Sequence, residues 1–124
     1  MAKVLSDEWC AAVTAAVADL APRSSAGDAD LDVVSGSRRV RWSVRDGRLA
    51  AVAPVPDGAD PAAAEVPMTA ATVAALVAGE LDPAMAFMRG DLKPVGSSGA
   101  VLDWLSALAD PACRAALAGV PTAA

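Results

Sequence analysis

The chain has 124 residues, a net charge of −5, no His, no Tyr and a single Phe. The acidic balance argues against a nucleic-acid footprint, the scarcity of aromatic rings against a base-stacking platform, and the lack of His removes the commonest general base and metal ligand. The length fits one domain spanning 1–124, large enough to bury roughly two-thirds of its unfolded surface.

In chain order, Ser6 to Leu20 reads as an amphipathic helix. Leu5, Trp9, Val13, Ala16, Val17 and Leu20 recur at three- and four-residue steps, Ser6 is a good N-cap, Asp7 and Glu8 suit the positive helix end, and Pro22 stops it. Arg23 to Asp30 is a polar loop, and Leu31 to Ser35 a short strand. Val40, Trp42 and Val44 then alternate with Arg39, Arg41, Ser43 and Arg45, the period of a half-buried strand. Asp46-Gly47 signals a hairpin turn into a partner strand over Arg48 to Val55. Pro56 to Pro61 is a second turn, and Glu65 to Met68 a short strand in which Pro67 suits an edge.

Thr69 caps a helix that Gly79 ends, with Val73, Leu76 and Val77 on one face. Asp82-Pro83 opens a short helix through Met85, Phe87 and Met88 to Gly90. Asp91 to Val95 reads as the last strand, and Pro94, which has no N–H to donate, places it at an edge or pairs it on one side only. Ser98 to Ala109 carries Val101, Leu102, Leu105 and Leu108 as a helix, Pro111 opens a final one, and the tail from Val120 is expected to fray. Hairpin-grouped strands with segregated helices predict an α+β fold.

The hydrophobic share of 55% is largely alanine, and no run of about 18 apolar residues predicts a transmembrane helix. The start turns acidic at once, so no secretory signal is expected. Cys10 and Cys113 have no metal-type spacing, and a reducing cytoplasm is the simplest setting; a bridge between them stays open if both chain ends meet. Without His to activate either thiol, nucleophilic catalysis has little support. Asp28, Asp30 and Asp32 imitate a calcium loop, but Val33 stands where its glycine is required. No glycine-rich phosphate motif is present, and no cofactor is expected. Arg38, Arg39, Arg41, Arg45 and Arg48 form a basic strand region. A solvated sheet face explains it better than docking on an anionic membrane or an acidic partner, because alternation already accounts for the pattern.

The stretch Ala78 to Leu105 carries more information. Gly79, Leu81 and Pro83, then Ala86, Phe87, Met88, Gly90, Leu92 and Lys93, then Gly96 before an apolar helix, resemble the sterol carrier protein type 2 domain family. The opening Leu5-Ser6-Asp7-Glu8-Trp9 resembles its short actinobacterial members. The resemblance implies a five-stranded, mostly antiparallel sheet covered by helices. It also implies an apolar cavity for fatty acyl chains, sterols or related molecules, and no catalysis. The chain departs from the family pattern at Arg89, Asp91 and Pro94. An Arg at 89, near the implied cavity mouth, would meet an anionic head group.

The expected ligand-lining set is Trp42, Val73, Leu76, Met85, Phe87, Met88, Arg89, Leu102 and Leu105. Met adapts to irregular apolar shapes; each residue taken singly is better explained by plain core packing, and only the resemblance raises a shared ligand-lining role for the group to an equal reading. The expected partner is an apolar small molecule or lipid, with room besides for transient contact to a membrane surface or a pathway enzyme. Two rival readings remain. One is an accessory protein presenting an apolar substrate to an enzyme. The other is an enzyme using Glu80 or Asp91 for proton transfer, which needs a carboxylate with a raised pKa in the cavity.

Overall fold

The computed structural model describes residues 2–22 and 27–123. Its elements are β1 (Ala2–Lys3), α1 (Asp7–Val17), β2 (Ala29–Ser35), β3 (Arg38–Arg45), β4 (Arg48–Pro54), β5 (Ala64–Pro67), α2 (Ala70–Ala78), α3 (Pro83–Met88), β6 (Val95–Gly96), α4 (Ser98–Ala109), α5 (Pro111–Ala118) and β7 (Thr122–Ala123). Of the loop expected over Arg23 to Asp30, residues 23–26 lie outside the described residues, and Ala29 and Asp30 already belong to β2.

β2 to β6 form one sheet in the order β4-β3-β2-β5-β6, antiparallel except for the β2–β5 pair. The hairpin between β3 and β4 turns at Asp46 and Gly47, whose φ values of 55° and 73° are both positive, as a tight two-residue turn requires. A register shift at Ser43/Val44 leaves Ala50 as an extra residue on β4. That bulge is why Leu49 and Val52, three apart, are both buried despite the period of two. β4 is an edge strand, and the Thr14 hydroxyl of α1 satisfies that edge. It donates to the Val52 carbonyl at 2.9 Å and accepts from the Val52 N–H at 3.0 Å.

The helices bury one face of the sheet, with α1 packed on β4 and α4 on β2. Leu31, Val33, Val40, Trp42, Val44 and Val66 point into this layer. Its centre is three tryptophans from three elements. The Trp9 and Trp42 ring centroids lie 6.1 Å apart, and Trp42 meets Trp104 edge-on at 5.8 Å. Tilted and edge-to-face pairs suit the ring quadrupoles, and the rings bury much area per residue.

The caps at Ser6 and Thr69 fall where the sequence places them, and Ser97 and Asp110 join them. The Ser6, Thr69 and Ser97 hydroxyls and the Asp82 and Asp110 carboxylates each accept a first-turn backbone N–H. Leu5, just before the first cap, holds a φ of 67°, an uncommon conformation for a side chain of its size. It is kept there because its side chain is buried and its carbonyl accepts from Arg38 Nε at 2.6 Å.

Four expectations need correction. α1 stops at Val17 instead of Leu20, closing with a tight bond from the Leu20 N–H to the Val17 carbonyl before Pro22 forces extended chain. The strand over Asp91 to Val95 shrinks to Val95–Gly96. The Asp91 N–H is held by the Ala86 carbonyl, and Pro94 has no N–H to pair. Gly96 completes the contact, because a Cβ there would stand 2.6 Å from the Ala63 carbonyl oxygen. β5 is interior, not an edge, yet Pro67 is tolerated because β6 reaches only Ala64 and Glu65. The tail does not fray at Val120. That residue is buried, β7 pairs with β1, and the Val4 N–H donates to the Ala123 carbonyl at 2.7 Å.

Candidate functional site

The two faces of the sheet differ in chemistry. On the outer face Asp32 is fully buried between two arginines, 3.1 Å from Arg39 and 2.9 Å from Arg41. Arg39 also pairs with Glu65, Arg45 with Asp30 at 3.0 Å, and Arg38 with Asp7. Hydrogen bonds to Glu65 and then Asp32 hold the Arg39 guanidinium above its usual range, and the bond to Asp32 does the same for Arg41. Four of the five arginines in the basic strand region thus meet carboxylates of this same chain. Asp30 and Asp32, the apparent calcium ligands, are engaged by these arginines.

Between the inner face and the helices lies a small hollow of about 10 Å³. Trp42 of β3, Leu76 and Val77 of α2, Pro83 of α3, Leu108 of α4, and Arg114 and Leu117 of α5 line it. Arg114 is its one charged group among the described residues. Among the described residues, neither the Trp42 nor the Trp104 indole N–H has an acceptor, whereas the Trp9 indole donates to Thr122 Oγ1 at 3.0 Å. No carboxylate among the described residues lines the hollow. Glu80 and Asp91 are both exposed and share an open surface depression of about 490 Å³ with Arg89. A larger open groove of about 660 Å³ is lined by Asp28, Asp30, Arg41, Arg45 and Asp103 with small neighbours, so its walls are charged.

The residues expected to line a ligand fall into two groups. Trp42, Val73 and Leu105 are buried in the helix–sheet layer, and Leu76 is half-buried beside them. Trp42 and Leu76 meet at the hollow. Met85, Phe87 and Met88 stand on the outer side of α3, and Met88 is 82% exposed. Leu102 of α4 is also exposed, and Arg89 pairs with Asp91 at the surface. Sequence reasoning missed Val77, Pro83, Leu108, Arg114 and Leu117 as hollow-lining residues. Arg114 had one available signal, as the only charge in an otherwise small and apolar helix, PACRAALA.

Cys10 and Cys113 are both buried thiols, so the ends of the chain meet through β1 and β7 without a disulfide. Burial is the main influence pushing the Cys10 thiol up, with Arg38 opposing it, which is the wrong direction for a nucleophile. No helix among the described residues is long and apolar enough to cross a membrane.

No family model matches the sequence, and no curated protein matches it either. Solved structures do. A crystal structure of sterol carrier protein 2 superposes with a TM-score of 0.71 at 18% identity, covering 96% of this chain and 100% of the other. A conserved protein of Thermus thermophilus, described as possibly a sterol carrier protein, gives 0.65 at 18% identity, covering 98% and 92%. Sterol carrier protein 2 like 2 of Aedes aegypti gives 0.52 at 16% identity, covering 79% and 91%. The resemblance carried by the stretch from Gly79 to Gly96 therefore extends to the architecture: this chain has the sterol carrier protein 2 fold.

Proposed function

We propose that this chain acts as one lipid-binding domain, in the cytoplasm, holding an apolar molecule between its helices and the sheet and catalysing no reaction. The observation that carries the reading is the apolar hollow at Trp42 within a sterol carrier protein 2 fold. Burying one methylene is worth about 0.8 kcal/mol. A chain of about 16 carbons would gain on the order of 12 kcal/mol before the cost of ordering it, with little specificity because apolar burial is non-directional.

A hollow of about 10 Å³ has room for about one water, so the layer must part to admit a chain. α3 is the element best placed to move. Pro83 and Ala86 are its only buried residues, and three large apolar side chains, Met85, Phe87 and Met88, are left outside. In the bound state these three, with Val73, Leu76, Leu102 and Leu105, would line the ligand, and Trp42 would form its floor. The test is a titration of delipidated protein with a fluorescent polyene fatty acid. Binding at micromolar or tighter affinity, reversed by unlabelled lipid, is expected; no binding by the probe or by any competing lipid would overturn the proposal.

A further inference from the structure

The charge at the hollow suggests a class of ligand. Arg38, Arg39, Arg41, Arg45 and Arg89 each pair with a carboxylate. Arg48, at the start of β4, and Arg114 do not, and of these two only Arg114 lines the hollow: among the described residues its guanidinium has neither an ion pair nor a hydrogen bond, although it is half-buried. Asp110, the acidic residue nearest to it in sequence, is occupied in capping α5 through the Cys113 N–H at 3.3 Å. α2, which faces α5 across the hollow, carries no charged residue at all. An unpaired guanidinium beside an apolar lining holds a fork of donors fit for two carboxylate oxygens. The unpartnered Trp42 indole N–H lies in the same lining.

We propose that Arg114 anchors the head group of a long-chain carboxylic acid whose tail enters the hollow toward Trp42. This rests on the lipid-binding reading and narrows it from apolar ligands in general to singly charged anionic amphipaths. The head group stays at the half-exposed end, where water completes its solvation, and the tail occupies the apolar end. Arg89, the earlier candidate for this contact, is already neutralised by Asp91.

The test titrates the delipidated full chain with dodecanoate and with 1-dodecanol, following intrinsic tryptophan fluorescence, which Trp42 ties to the hollow. The native chain should bind dodecanoate more tightly than the alcohol. Arg114→Gln should weaken dodecanoate on the order of tenfold and leave the alcohol within about twofold, because a charge-assisted pair is lost while apolar burial stays. Arg114→Lys should fall between, and Arg89→Gln should behave as the native chain. An Arg114→Gln chain with an unchanged acid-to-alcohol ratio overturns the anchor, and so does equal weakening of both ligands, which would mean a packing role. If that variant does not fold, salt dependence on the native chain decides. Added salt should weaken dodecanoate and not the alcohol, and equal behaviour overturns the assignment. If the native chain binds neither compound, the lipid-binding reading falls and takes the anchor with it.

Discussion

The outer face of the sheet and the layer under its helices are built from the same strands but treat polar groups in opposite ways. Outside, Asp32 has no contact with water and is matched by Arg39 and Arg41, and Glu65 and Asp30 complete a ladder of neutralised charge. Inside, two indole N–H groups have no acceptor among the described residues, and the one cation at the hollow has no carboxylate. Buried polar groups are normally hydrogen-bonded, so unmatched ones are informative. A matched network has little left to offer a ligand, although the buried Arg48 Nε at the start of β4 also lacks a partner among the described residues.

Removing one partner from the outer network should produce the largest change. Asp32→Ala leaves two guanidinium groups facing each other without their shared carboxylate. Both are partly exposed and can regain water, so the loss should be about 2 kcal/mol, below the usual penalty for a fully buried pair. Urea unfolding measures it, and a loss below about 0.5 kcal/mol would show the ladder to be ornamental.

The tryptophans offer a sharper comparison. Trp9→Phe and Trp42→Phe both remove ring volume from the same cluster, but among the described residues only Trp9 gives up a hydrogen bond, to Thr122. Trp9→Phe should therefore cost about 1 kcal/mol more than Trp42→Phe in calorimetric unfolding. Equal costs would mean that the Trp42 indole has an acceptor after all.

The smallest stability effect should come from α3. Met88 is 82% exposed, so Met88→Asp should leave stability within about 0.5 kcal/mol of the native value. If α3 closes over a ligand, the same change should weaken polyene fatty acid binding by about tenfold, the worth of one buried side chain. Unchanged affinity would remove α3 from the lining.

Much of this fold was legible locally because its signals are short-range. The Val40, Trp42 and Val44 alternation marked β3, Asp46-Gly47 its turn, and Ser6, Thr69 and Asp82 the caps that the structure shows. Each depends on neighbours within a few residues, so composition and spacing suffice. The stretch from Gly79 to Gly96 carried the architecture as well, through its resemblance to a known family.

What the tertiary structure decided involves partners far apart in the chain. β1 and β7 are two residues each, too short for any period, and exist because burial of Val4 and Val120 brings the two ends together. Asp91 to Pro94 was read as part of a strand, yet the Ala86 carbonyl holds its first N–H and Pro94 withholds another. A helix of six residues, as α3 is, makes too few turns for its sequence to say which side faces the core, so the outward position of Met85 and Met88 was not readable. Nor was the status of the arginines. Their number and spacing are written in the sequence, but whether each meets a carboxylate depends on which strand or helix packs beside it. Only the fold separates Arg39, matched on both sides, from Arg114, left unpaired among the described residues beside an apolar hollow.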